Sequence, residues 1–388
     1  MRGFPFFGFL GIHHFNSKEG TMNQRMLCGS VFLLSASLAV PLFAASLTQQ
    51  QQLGKIMYQD KDFSWNRTQS CQTCHHQISG FADPTNMRDP ESTVVSLGDD
   101  GVSKGGRNAP SSAYAGFSPK LQKDGDVYVG GMFWDGRATG LSTDLGDPLA
   151  EQAQGPPLNE VEMNMPDLGT VVQVVRDSSY AHLFITVYDP ATLADDELAW
   201  DAIAKAIAAY ERSPEVQMFS SRYDSGTLKN QETLGKELFA AKCAGCHSMD
   251  KVYTDKGPLF TNYKYYNIGL PANGEDLVPA GDLGLGGFLA KDEAPEEFKA
   301  DAAAEVGKFK VPTLRNVALT APYGHNGIFA TLEEMVQFKN SRDSLFDEWG
   351  VESDVKDNVY TENDFGHMGL SQNDVDNIVA FLKTLTDK

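Results

Sequence analysis

Two short runs carry the most specific chemistry in this chain: Cys71-Gln-Thr-Cys74-His75 and Cys243-Ala-Gly-Cys246-His247. They hold four of the five cysteines, and the fifth, Cys28, lies in an apolar run near the N-terminus. Two Cys-x-x-Cys pairs could supply a four-thiolate zinc ribbon, and in an oxidising compartment each pair could close as a disulfide. Neither arrangement uses the histidine that follows both pairs. Covalent haem does. Cysteines three apart on a helix face one way and can add to the two vinyl groups of one porphyrin, and the next residue then brings its imidazole to the iron. The pattern predicts two covalently bound haem c groups. Cys71 and Cys74 anchor the first, with His75 as proximal ligand; Cys243 and Cys246 anchor the second, with His247. His76 is expected to be a neighbour of the first iron and not a ligand, because the two cysteines fix the ring over the position after the second thiol.

The elements that must position these motifs include an internal repeat. Leu-Gly-Lys occurs at 53–55 and again at 234–236, each expected to open a helix ahead of its motif, with nine more residues before the cysteine in the first copy. Two related domains follow, 46–220 around the first haem and 221–388 around the second, joined near "ERSPEVQMFSSRYDSGTLKNQ". Upstream of the join, "DELAWDAIAKAIAAYERS" puts Ile203, Ile207 and Tyr210 on one helical face. At the end of the chain, Ser371 and Asp374 fit a capping box, and Val375, Ile378, Val379, Leu382 and Leu385 form the apolar stripe of the helix behind it. Between these helices run long irregular stretches, with eight glycines between 97 and 131. Wrapping a large cofactor accounts for loops of that length.

Residues 1–45 read as an upstream segment followed by a secretory signal peptide: Arg25 precedes "MLCGSVFLLSASLAVPLF", and the small residues that follow place cleavage near Ala44 or Ala45. Met22 is a more sensible start than Met1, and Cys28 leaves with the signal. No other run approaches the roughly 18 apolar residues that span a bilayer. The mature chain is therefore expected to be exported and free of membrane insertion, in the periplasm or on the outer cell surface. The whole chain carries a formal charge of −20, and losing residues 1–44, with three basic side chains and one acidic, makes it −22. Such a surface repels nucleic acid and steers in a basic partner.

With both haem motifs in place, the chain resembles the bacterial dihaem cytochrome c peroxidase family, which includes the MauG-type enzymes. The resemblance rests on "GGRNAPSS", "FWDGRAT", "AEQAQGPPLNEVEM", "LFTNYKYYNIGLP", "FKVPTLRNVALTAPYGHNGIFATLEE" and "VAFLKTLTD", in the family's order around the two motifs. It implies a mainly α fold of two cytochrome c-like haem domains with long irregular loops. It makes Glu162 the distal glutamate near the first haem, with Gln152 and Pro156 in the same pocket. Cleaving peroxide needs a group that takes a proton from one oxygen and returns it to the other, which a desolvated carboxylate can do. Trp134 matches the tryptophan between the haems, an electron relay. Asn108, Thr320 and Pro322 match the positions that hold one Ca2+, whose hardness suits oxygen ligands.

Two departures from the family pattern bear on activity. Many members block the first haem at rest with a second histidine from the loop after the first motif, yet here no histidine occurs between His76 and His182. The first haem is therefore expected to be open at rest and to meet peroxide without prior reduction. Fourteen residues after His325, where peroxidases carry methionine and MauG-type enzymes tyrosine, stands Lys339. Thr331 and Glu334 fit a capping box, and on the helix they start Leu332, Met335, Val336 and Lys339 share a face. Lys339 is the candidate sixth ligand of the second haem, with Met335 and Met368 as rivals. The expected activity is reduction of hydrogen peroxide with electrons from a small soluble donor, a cytochrome c or a cupredoxin. The alternative is a MauG-like oxidase that withdraws electrons from a residue of a partner protein. A non-enzymatic electron carrier would not need the pocket around Glu162.

Overall fold

The first helix, α1 (Gln49–Gln59), begins where Thr48 and Gln51 close a capping box, each side chain bonded to the other's backbone N–H. The computed structural model describes residues 46–141, 144–274, 278–344, 349 and 352–388. The expected signal peptide and Cys28 lie outside them. Further helices are α2 (Cys71–Cys74), α3 (Pro148–Ala153), α4 (Asp196–Glu211), α5 (Asn230–Lys242), α6 (Leu332–Ser341) and α7 (Gln372–Leu382). The fold is mainly helical. The strands pair as two short ribbons, β1 (Gln122–Asp124) with β2 (Val127–Val129) and β3 (Tyr265–Tyr266) with β4 (Phe309–Lys310).

The Leu-Gly-Lys repeat lies inside α1 and α5 and does not open them. Each helix starts four residues earlier, at Gln49 and Asn230, because side chains at Gln51 and Glu232 satisfy the backbone N–H groups of Thr48 and Lys229. What the repeat does is set a helix crossing. A Cβ on Gly54 would lie 1.8 Å from the carbonyl oxygen of Ala206 in α4, and a Cβ on Gly235 would lie 1.8 Å from that of Asn377 in α7. Only glycine allows backbones that close. One turn further along each pair an aromatic contact closes the crossing: Tyr58 meets Tyr210 with ring centroids 5.2 Å apart, and Phe239 meets Phe381 at 5.2 Å. The same crossing is thus built twice.

Helix α4 is apolar on almost every side, burying Trp200, Ile203, Ile207, Tyr210 and five alanines, as a helix inside a core must. Helix α7 starts from the Ser371–Asp374 capping box and buries Val375, Ile378, Phe381 and Leu382, while Val379 is half-buried. Each fully buried side chain of this size contributes roughly 1.5–3 kcal/mol of burial. The two crossings centre separate apolar clusters, and a third joins Leu121 and Tyr128 to Tyr265, Leu285 and Phe288. Polar ties also link the two halves of the chain: Tyr114 donates to Asp387 at 2.7 Å, and Arg107 donates to both oxygens of Asp282 at 2.6 and 2.8 Å. Among the described residues no helix is long and apolar enough to cross a membrane.

Candidate functional site

Cys71, Cys74 and His75 open onto a cavity of ≈ 680 Å³. The turn that presents them is closed by His75 N–H on the Cys71 carbonyl at 2.9 Å. His75 Nδ1 lies 3.2 Å from the carbonyl oxygen of Phe81, which can only accept, so Nδ1 carries the proton and Nε2 keeps its lone pair. Burial also lowers the pKa of this imidazole and holds it neutral. Tyr58 donates to the His75 carbonyl at 2.9 Å and meets the Ser112 hydroxyl at 2.9 Å.

Gln152, Pro156 and Glu162 line the same cavity. Gln152 comes from α3, which starts with Asp147 accepting from Leu149 N–H at 3.0 Å. The Pro156 carbonyl accepts from Asn159 and Met163, both at 3.2 Å, and this folds the chain so that Asn159 Nδ2 reaches Glu162 Oε1 at 2.6 Å. Burial raises the Glu162 pKa above the ordinary carboxylate value, although Arg137 and the Asn159 bond pull the other way. Among the described residues His75 is the one histidine in this lining. His76 instead accepts from the N–H of Ile78 at 3.1 Å, capping a short turn.

The second motif faces a cavity of ≈ 500 Å³. Its turn repeats the first, with His247 N–H on the Cys243 carbonyl at 2.9 Å, and His247 Nδ1 lies 2.9 Å from the Phe260 carbonyl oxygen. Burial pushes the His247 pKa down to about 3, with the charge of Lys339 adding to the effect. Lys339 and Met335 reach the cavity from α6, whose Thr331–Glu334 capping box is formed, and Met368 lines it from the loop before α7. Burial lowers the Lys339 pKa, and its Nζ lies 5.5 Å from the centre of the Phe365 ring. Asn108, Thr320 and Pro322 line this cavity too. Asn108 Nδ2 donates to the Val94 carbonyl at 2.9 Å, which leaves its side-chain oxygen as the group able to meet a cation.

Trp134 lines both cavities. Its indole donates to the Asn108 carbonyl at 2.9 Å, and its own carbonyl accepts from Lys310 N–H at 2.9 Å. The four cysteines are divided between the cavities, and among the described residues no three His, Cys, Asp or Glu side chains cluster as a metal site. Burial pushes the Cys74 and Cys243 thiols up to about 12.

Residues 48–233 match the family model described as di-haem cytochrome c peroxidase. The chain is 37% identical to the methylamine utilization protein MauG of Paracoccus denitrificans, over 91% of this chain and 94% of that protein. It is 29% identical to the cytochrome c551 peroxidase of Pseudomonas aeruginosa, over 88% and 79%. The chain belongs to the di-haem cytochrome c peroxidase family. Among solved structures, the diheme peroxidase BthA of Burkholderia thailandensis superposes with a TM-score of 0.73 at 29% identity, covering 87% of this chain and 86% of that one. A MauG-like protein associated with microbial copper homeostasis superposes with 0.63 at 27%, covering 88% and 91%.

Membership of the di-haem family implies two haem groups, and the residues present fit them. Each cavity offers a pair of thiols, an imidazole whose Nδ1 is tied to a carbonyl, and a largely apolar wall. Reading the sequence missed Glu211, which lines the first cavity as the last residue of α4. The signal was present: the face that carries Ile203 and Ile207 continues at the next i+4 position onto Glu211, an acid where the pattern asks for an apolar side chain. Asn159, which holds Glu162, carries no such signal, because its partner is fixed by the fold of an irregular loop.

Proposed function

We propose that the protein reduces hydrogen peroxide to water at the first cavity, with electrons from a small redox protein, a cytochrome c or a cupredoxin, entering through the second. The observation that carries this reading is the lining of the first cavity, which holds a neutral His75 and a half-buried Glu162 and, among the described residues, no second histidine. When bound, haem c supplies iron that exchanges electrons in both cavities and, in the first, a place for peroxide. Cys71 with Cys74 and Cys243 with Cys246 would hold the rings, and His75 and His247 would ligate through Nε2. Glu162 accepts the proton of the nearer peroxide oxygen and returns it to the departing one. Two electrons and two further protons complete the two water molecules. The Asn159 amide keeps the Glu162 carboxylate aimed, Gln152 orients the oxidant, and the Pro156 ring limits water. Trp134, in the wall of both cavities, relays electrons between them. Lys339, ahead of Met335 and Met368, would bind the iron on the second side, and Asn108, Thr320 and Pro322 would hold one Ca2+. The two domains divide at 220 and 221, and the mature protein works in the periplasm.

A MauG-like reading, in which the electrons come from a residue of a partner protein such as a tryptophan, is favoured by the 37% identity with MauG and by Lys339 standing where peroxidases carry methionine. Electron paramagnetic resonance of the fully oxidised protein, before and after one equivalent of peroxide, tests the site itself. A high-spin and a low-spin ferric signal, both bleached by peroxide, are expected; two low-spin signals indifferent to peroxide would overturn the open first cavity. Rapid return to the resting spectrum with a reduced cytochrome or cupredoxin supports the first reading, and a mass change on a partner protein supports the second.

A further inference from the structure

Glu211 is only 4% exposed, and its Oε2 is buried without a hydrogen-bond partner in the wall of the first cavity. A buried polar atom left unpaired costs about 1–3 kcal/mol and calls for a reason. The basic residue next to it is not available: Arg212 donates to both oxygens of Asp147, at the head of α3, at 2.7 Å each. The other titratable groups that bear on Glu211 are Asp147, whose negative charge opposes its ionisation, and Tyr58 on α1, Cys71 on α2 and Tyr210 on its own helix. The two tyrosines and Cys71 are neutral at ordinary pH, and Cys71 is a thioether once haem is attached. The Ser112 hydroxyl, already bonded to Tyr58, is the one group besides Arg212 that favours the ionised form. With Arg212 committed to Asp147, burial outweighs what Arg212 and Ser112 give to the ionised form, and the carboxyl is held as the acid.

We propose that Glu211 is the proton-holding group of the first cavity: it carries a proton in the electron-rich state and releases that proton to solvent when an electron leaves the cavity. The proposal rests on the first cavity holding haem. One electron out is then matched by one proton out, and each electron returned brings one proton back, so the charge inside a poorly solvated space stays constant. This differs from the task of Glu162, which moves a proton between the two peroxide oxygens. Burial pushes the Glu211 pKa up to about 8, and the coupling is seen in the pH window between the values this pKa takes in the oxidised and in the reduced site. An ionised Glu211 stabilises the oxidised site, so the midpoint potential of the first haem falls as pH rises through that window.

The test is a spectroelectrochemical titration of the first haem in the holoprotein across pH 6 to 10, in the wild type, Glu211→Gln and Glu162→Gln. Glutamine keeps the shape of the neutral acid. The expected result is a potential that falls with pH in the wild type and in Glu162→Gln and is flat in Glu211→Gln. Infrared difference spectra should show a protonated-carboxyl C=O band lost on oxidation of the wild type and absent from Glu211→Gln. A Glu211→Gln protein with an unchanged haem spectrum and an undiminished pH slope would overturn the proposal and leave the haem reading intact. Absence of a haem spectrum from the first motif in the wild type would instead remove the haem reading. Should Glu211→Gln fail to assemble, the infrared band decides in the wild type, and Glu211→Asp should shift it.

Discussion

The indole Nε1 of Trp134 donates to the backbone carbonyl of Asn108 at 2.9 Å, and both residues line both cavities. Asn108 is itself held, its N–H on the His325 carbonyl at 2.8 Å and its amide on Val94 at 2.9 Å. The ring between the sites is therefore pinned by a chain of bonds that spans both halves of the sequence. A Trp134→Phe substitution keeps an aromatic ring but leaves the Asn108 carbonyl unpaired, at a cost of about 1–3 kcal/mol. Denaturant unfolding should register that loss, and rapid-mixing spectroscopy should show slower oxidation of the second haem after peroxide is added to the first.

Glu162 must be ionised to accept a proton, and its pKa is raised above the usual carboxylate value chiefly by burial. Turnover should therefore be lost as pH falls through that raised pKa, earlier than for an exposed glutamate. In Glu162→Gln the acid limb disappears and kcat/KM for peroxide drops by about 10²–10⁴-fold, the usual worth of a positioned acid–base group. Steady-state rates across pH, with haem content checked by absorbance, decide this. A variant as fast as the wild type would remove Glu162 from the chemistry.

The two Cys-x-x-Cys-His runs and the helices α4, α6 and α7 were legible because each leaves a local mark, a repeated spacing, a capping box or an i, i+3, i+4 stripe, whereas Glu162, Gln152 and Pro156 were named only through the family resemblance. Ser371–Asp374 and Thr331–Glu334 close as their spacing requires. What stayed hidden depends on distant partners. That Gly54 and Gly235 serve a helix crossing is visible only once Ala206 and Asn377 are brought against them, more than 140 residues away in each case. Phe381, at the centre of the second crossing, lies off the stripe read from the sequence, because α7 is covered on more than one side.

The second crossing gives a stability prediction. Gly235→Ala puts a methyl group where 1.8 Å separates it from a carbonyl oxygen of α7, so the helices must part. Overpacking of a backbone contact, with loss of the Phe239–Phe381 packing beyond it, should cost about 3 kcal/mol or more. Gly245→Ala is the control, since a Cβ there meets nothing within 4 Å, although Gly245, unlike Gly235, lies inside a haem motif. Thermal unfolding should separate the two sharply; equal stability would mean that α5 and α7 can slide apart freely.

Lys339 offers the sharpest reading of the second site. It shares the cavity with His247, Met335 and Met368, its Nζ lies 5.5 Å from the Phe365 ring centre, and burial lowers its pKa toward the amine that can bind a metal. An amine donates more strongly than a thioether, so a lysine ligand holds the second haem at a lower potential than methionine would. Lys339→Met should raise that potential and bring in the near-infrared sulfur-to-iron band of a His–Met haem. Lys339→Ala should leave the second iron open and turn its low-spin signal high-spin. If Lys339→Ala keeps both the potential and the low-spin signal, the ligand is Met335 or Met368, and the same pair of measurements on Met335→Ala and Met368→Ala assigns it.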